Sequence, residues 1–300
     1  MQPGTTCVRQ AWLTLGSLTI QLENVAGGWF CSSLDLGYPE PREVIQNRPD
    51  TDGAIDRTRY MGARIVSAEI HALAGAGARI DDIADNFAPF MVPNARPVLH
   101  YILDRPGAAE RTINLRAMGY SWAVNSPVER QIQLQWKAAD PTVRDPTVQT
   151  ATSYTGTPTG NGRTYPLSFS RQYPATGGAP STGTISSPGN LLVRPLLYIY
   201  GPVTAPAVTF TPTGSTPVSK VAFVPSFRID AGHFVLVDTV NKTANLDGPN
   251  GASELAWLDW YNTTWPILPI QPDTTSMAMT GSSTSGSTQA QATWQDGYLT

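Results

Sequence analysis

The chain has 300 residues, room for one large domain or two ordinary ones at roughly 150 residues each. Charged residues make up only 14 % against 41 % hydrophobic, and 26 Gly with 26 Pro leave little scope for long helices, while 11 Tyr, 8 Trp and 8 Phe supply a core and exclude wholesale disorder. A net charge of −3 argues against a grip on nucleic-acid backbone, and no run of about 18 apolar residues is present to insert into a membrane as a helix.

The opening residues Met1–Cys7 carry no basic stretch followed by an apolar run, so no secretory leader is expected. Cys7 and Cys31 are too few for a disulfide framework and belong to no CxxC pair; both read as reduced, buried thiols. Leu18, Ile20 and Leu22 alternate with Thr19 and Gln21, the period of a half-buried strand. Trp29-Phe30, after Gly27-Gly28, reads either as an exposed contact patch or as a strand entering the core. Val66, Ala68, Ile70 and Ala72 alternate with Ser67, Glu69 and His71, and Val98 to Leu103 reads as a strand buried on both faces. One short helix is predicted near Arg79 to Phe87, with Ile80, Ile83 and Phe87 at spacings of three and four. Asp81 and Asp82 suit its N-terminus and Pro89 is expected to stop it. From Gln131 to Lys137, Ile132, Leu134 and Trp136 face one way and the glutamines and Lys137 the other.

Beyond Asp145 the composition changes: no Asp or Glu occurs from Pro146 to Ile229, and the stretch to Asn190 is thick with Thr, Ser, Gly and Pro. The chain therefore reads as a first domain over 1–145, an extended connector arm over 146–190 and a second domain over 191–300. Within the arm, Leu167 and Phe169 alternate as a short strand would. Short strands then follow closely: Leu196–Tyr200, Ala207–Phe210, Val218–Val224, Phe234–Asp238, Ala256–Asp259, Thr275–Met279 and Ala290–Trp294, with a tight turn at Asp247-Gly248. Many short strands so spaced suggest a sandwich or barrel. The fold class is mainly β, and no internal repeat is visible.

Chemistry is sparse. His71, His100 and His233 stand far apart, each within a strand pattern, and read as packed or half-exposed residues rather than bases. No H-E-x-x-H, CxxC or G-x-S-x-G pattern occurs, and Gly75-Ala-Gly77 lacks the third glycine of a dinucleotide loop. The carboxylate groups Asp50, Asp52, Asp56 and Asp81, Asp82, Asp85 sit among turn and cap residues, and a calcium loop starting at Asp50 fails because Met61 occupies its twelfth position. No catalytic residue, cofactor or metal is expected. Trp257, Trp260 and Trp265 form either a sugar-stacking platform or core filling.

Several segments, in order, resemble the distal tail proteins of long-tailed, siphovirus-type bacteriophages. They are Leu34–Pro39 with Pro49–Gly53 and Gly62–Arg64, the helix ahead of Pro89, Trp136–Pro141, the arm around Tyr165–Tyr173, Gly189–Pro202, Asp230–Thr239, Trp265–Pro269 and Thr293-Trp294. Where that family commonly has a Pro-Gly-x-Asn turn, this chain has Pro269-Ile-Gln-Pro272-Asp273. The resemblance implies an N-terminal β-sandwich ring domain with one short helix and a C-terminal galectin-like β-sandwich. It also implies a structural, non-enzymatic role in a virion: a homohexameric ring at the tail tip, assembled in the host cytoplasm. Its partners would be copies of itself, the tail tube protein, the tape measure protein and the tail-tip hub or receptor-binding proteins.

The residues themselves are compatible with that role. Few charges suit surfaces destined for contact, and a mildly acidic ring would not hold DNA phosphates. Clustering alone suggests that Asp81, Asp82 and Asp85 line the channel. Two other classes remain beside it: a monomeric carbohydrate-binding module using Trp257, Trp260 and Trp265, and a cell-wall glycoside hydrolase relying on a carboxylate pair.

Overall fold

A computed structural model describes residues 8–42, 45–47, 54–56, 60–73, 80–126, 128–155, 181–213, 219–268, 274–283 and 288–299. It is mainly β, with several antiparallel sheets and one α-helix among the described residues. Two compact units emerge, residues 1–146 with 298–300, and residues 147–297.

In the first unit, alternation builds two sheets that share one core. The larger has the strand order Leu18–Gln21, Val8–Leu15, Val98–Leu103, Glu110–Asn114, Val143–Arg144 and Gly297–Tyr298, the chain re-entering this unit at its end. The smaller runs Arg116–Ser126, Glu129–Ala138, Arg64–Leu73 and Trp29–Asp35. Leu13, Leu99, Tyr101 and Ile113 from one sheet meet Val66, Ile70, Leu134 and Trp136 from the other, all essentially inaccessible to water. Burial of such faces is the main favourable term in folding.

The helix Ile80–Met91 closes this core through Ile83, Phe87, Phe90 and Met91. Pro89 does not stop it as expected; it lies inside the last turn. Burial of Phe90 and Met91 rewards continuing past the proline, offsetting the hydrogen bond that a proline cannot donate.

The second unit has a five-stranded sheet ordered Gln149–Tyr154, Gln289–Trp294, Leu196–Tyr200, Phe234–Asp238 and Thr243–Leu246. Its other sheet runs Gly183–Ser186, Thr274–Ser282, Val203–Pro212 and Ser219–Ala222, with Arg228–Ile229 also on Val203–Pro212. Leu197, Ile199, Val208, Phe210, Val235 and Met277 form its core. Of the segment read as a connector, Gln149–Tyr154 and Gly183–Ser186 are thus strands of this unit, while Leu167 and Phe169 lie outside the described residues.

One expected strand is absent. Leu255–Trp257 is a single 3-10 turn, closed by the Trp257 N–H donating to the Glu254 carbonyl at 3.0 Å. Only Leu258 is bridged to a neighbour, Phe223, and is buried. At the Asp247-Gly248 turn both residues take positive φ, as a tight reversal requires.

Candidate assembly surface

The four-stranded sheet of the first unit has one dry face and one polar face. Along Glu129–Ala138, Ile132, Leu134, Trp136 and Ala138 are buried, whereas Gln133, Gln135 and Lys137 reach water. Register places Gln131 opposite His71, Gln133 opposite Glu69 and Gln135 opposite Ser67, so the polar set continues onto the next strand. Ser33 and Asp35 extend it onto the last strand, opposite Glu69 and Ser67. Neutral amides and hydroxyls therefore dominate, with charges of both signs between them.

Near one end of this face His71 is held from three sides. Its Nδ1 is 2.7 Å from Glu129 Oε1, its Nε2 is 3.0 Å from Glu69 Oε1, and its ring stacks on Phe30 at 5.1 Å. The hydrogen bond to Glu129 raises the imidazole pKa, desolvation partly opposes it, and Glu69 adds a further increase. Of the two readings of Trp29-Phe30 the strand is the one observed: Trp29 enters the core, while Phe30 is half-buried against His71 on the polar face. The other sheet repeats the device, with His100 stacked on Trp12 at 5.3 Å and bonded to Glu110 and Thr14. His71 and His100 are packed partners of aromatic rings, as their place in strands suggested, whereas His233 stands exposed just ahead of the strand Phe234–Asp238.

Both edges of the sheet are open among the described residues, since Arg116–Ser126 and Trp29–Asp35 each pair with a single strand, apart from a bridge between Trp29 and Asn24. An unpaired edge presents a row of N–H and C=O groups to any strand that can align with it. The Arg116–Ser126 edge is also apolar: Met118, Tyr120 and Trp122 are 54 %, 51 % and 45 % exposed. Tyr120 and Trp122 sit opposite Leu134 and Ile132, on the core side of the sheet, yet they emerge from cover. Arg130 lies 5.1 Å over the Trp122 ring, a cation–π contact. Bulges between Ala117 and Gly119 and between Val124 and Ser126 bend this strand. No sequence pattern marks it.

The residues singled out earlier separate. Asp82 and Asp85 are exposed on the helix Ile80–Met91, whose apolar side packs on the core; Asp81 shares its first turn, its side chain outside the described part. Asp50 and Asp52 lie outside the described residues, as do Cys7, Gly75 and Gly77. Cys31 is a free thiol, half-buried, its pKa pushed up to about 11 by burial. In the second unit, Trp260 and Trp265 meet edge to face at 6.4 Å, while Trp257 stands apart against Phe227 at 6.0 Å. Trp265 packs on the core; Trp257 and Trp260 are largely exposed. No group of three His, Cys, Asp or Glu suited to a metal ion occurs among the described residues.

No protein-family model matches the chain, and neither does any curated protein. Solved structures do. The crystal structure of the Dit protein of phage SPP1, described as a paradigm of the hub adsorption apparatus in phages infecting Gram-positive bacteria, superposes with a TM-score of 0.60 at 12 % identity, over 96 % of this chain and 98 % of that one. The activated baseplate of phage P2 gives a TM-score of 0.49 at 11 % identity, over 96 % and 98 %.

Proposed function

We propose that the chain, which shares its fold over nearly its whole length with the phage SPP1 Dit protein, is a distal tail protein of a long-tailed phage. In this reading six copies close into a ring that joins the tail tube to the tail-tip and receptor-binding apparatus and leaves a channel for DNA. That shared fold is the observation that carries the proposal.

The open-edged sheet supplies a means of assembly. A strand such as Arg116–Ser126 on one copy meets Trp29–Asp35 on the next, so that each interface is heterologous and only closure removes the free ends. Met118, Tyr120 and Trp122 then lose water along the seam, adding apolar burial to backbone pairing. Each copy contributes four strands to a continuous belt.

The belt's polar face, with Ser67, Gln131, Gln133 and Gln135, is the surface we assign to the channel. Amides and hydroxyls with few cations make no lasting contact with passing phosphates, which a strongly basic wall would hold. On this arrangement Asp82 and Asp85, on the helix at the core side, face away from the DNA. Charge reversal at both is expected to leave DNA passage unaltered.

The second unit, read as a galectin-like sandwich, is left for contacts with other tail components. Assembly energy resides in interfaces, and the reading needs no bond-making chemistry. The test is the mass of the purified chain in solution together with gold-labelled antibody on intact virions. A ring near six times 32.3 kDa and label at the tail tip support the reading. A chain that stays single at every concentration, with no label on particles, overturns it.

A further inference from the structure

We infer that a cleft beside Trp257 in the second unit is a binding site for a neutral pyranose sugar. The cleft has a volume of about 390 Å³ and is lined by Phe227, Arg228, Asp230, His233, Glu254 and Trp257 among others. Ligand pockets range over roughly 300–1,000 Å³, so it has room for one or two sugar rings.

Trp257 is 44 % exposed, yet it is fixed rather than loose. Its N–H donates to Glu254, its carbonyl accepts from the Val224 N–H at 2.9 Å, and its ring leans on Phe227. Phe227 in turn stacks on Phe223 at 4.6 Å, both buried. Two core rings thus brace a third that lines the cleft. A pyranose has an apolar C–H face that stacks on such a ring and a rim of hydroxyls that needs convergent polar groups.

The rim supplies them. Arg228 Nε lies 3.0 Å from Asp230 Oδ1, and His233 Nδ1 lies 2.7 Å from Asp247 Oδ2, so both basic groups already have a carboxylate partner. Glu254 is half-buried and its carboxylate has no hydrogen-bond partner among the described residues. It is the open acceptor, suited to a pair of sugar hydroxyls. Because the uncompensated charge is negative, phosphorylated and carboxylated sugars are disfavoured and a neutral ring fits. Trp260 and Trp265 do not line this cleft, which confines the sugar role to Trp257.

The inference is independent of the hub reading and is tested on the full chain. The methyl glycosides of galactose, glucose, mannose and N-acetylglucosamine, with lactose, are titrated while saturation-transfer NMR and tryptophan fluorescence are followed. At least one sugar is expected to bind, with Trp257→Ala weakening it about tenfold, Glu254→Gln weakening it severalfold, and Trp260→Ala leaving it unchanged. Trp257→Phe, which keeps an aromatic face and the fold, should retain part of the binding. No binding by any of these sugars overturns the inference, as does binding that survives Trp257→Ala or falls equally with Trp260→Ala.

Discussion

Phe30 and His71 face each other across neighbouring strands with their rings stacked at 5.1 Å and 11° between planes, while Glu129 and Glu69 bond the two ring nitrogens. The imidazole is thereby locked in orientation and biased toward its charged form. Its pKa lies above the ordinary 6.5, chiefly through the hydrogen bond to Glu129.

A folded-state pKa above the unfolded one stabilises the fold fully below about pH 6.5, and that contribution disappears as pH rises through the folded value. Urea unfolding at pH 6 and at pH 9 should show the first unit losing stability on the alkaline side. His71→Gln should flatten that dependence, and Glu129→Gln should reduce it. Equal slopes for wild type and His71→Gln would remove the clamp as an energetic feature.

Trp136 is fully buried between the sheets, and its Nε1 has no hydrogen-bond partner among the described residues. Trp136→Ala leaves a large void and should cost about 3–5 kcal/mol, enough to threaten a domain of ordinary stability. Trp136→Phe removes less volume and also the unpartnered N–H, so its cost should be well under that of alanine. Chemical denaturation of the two variants side by side gives the ranking.

Gly37 adopts φ +61°, and a Cβ there would approach the Ile65 carbonyl oxygen to 2.0 Å. The turn is held by the Gly37 N–H donating to Asp35 Oδ1 at 2.9 Å. Gly37→Ala adds both a left-handed backbone penalty and a clash with main chain that cannot rotate away. The loss should exceed ~1 kcal/mol, read as a lower melting temperature. An unchanged melting temperature would mean that this turn relaxes freely.

What sequence reading recovers follows burial contrast. The strand around Gln131–Lys137 is legible because Ile132, Leu134 and Trp136 are dry while Gln133, Gln135 and Lys137 are wet. Arg116–Ser126 is not, since Tyr120 and Trp122 lie on the core side but remain exposed, so its period carries no contrast. The Pro89 stop fails because local backbone preference is outweighed by the burial of Phe90 and Met91 further along. The Trp257 cleft gathers Phe227, His233 and Glu254 from separate segments, and only tertiary structure brings them together. The tryptophans that sequence proximity grouped are divided by the same packing.

Cys31 offers a test of burial as the leading influence on a side chain. Its S–H donates to the Ser33 carbonyl at 3.2 Å, but desolvation dominates and pushes the thiol up to about 11 from 9.0. The thiolate fraction near neutral pH should therefore be roughly a hundredfold below that of a free thiol. Iodoacetamide labelling followed by peptide mapping should leave Cys31 largely unmodified in the folded chain and modified in urea. Fast labelling of the native protein would contradict this.

The edge strand bears on assembly most directly. Met118 and Tyr120 are about half exposed in the single chain, so replacing either by Glu should change stability by no more than about 0.5 kcal/mol. In a closed ring the same substitution places an unpaired carboxylate in every seam, where desolvating it is costly and no described partner compensates. Because the interface repeats around the ring, one substitution per chain acts at all of them at once. Met118→Glu and Tyr120→Glu should leave each chain cooperatively folded yet shift the mass in solution to that of a single 32.3 kDa chain. Charge placed instead on the solvent side of the helix, at Asn86→Glu, should leave the ring intact. A ring that persists in both edge variants would show that copies join through some other surface, and the four-stranded belt would have to be abandoned even if the hub role stands.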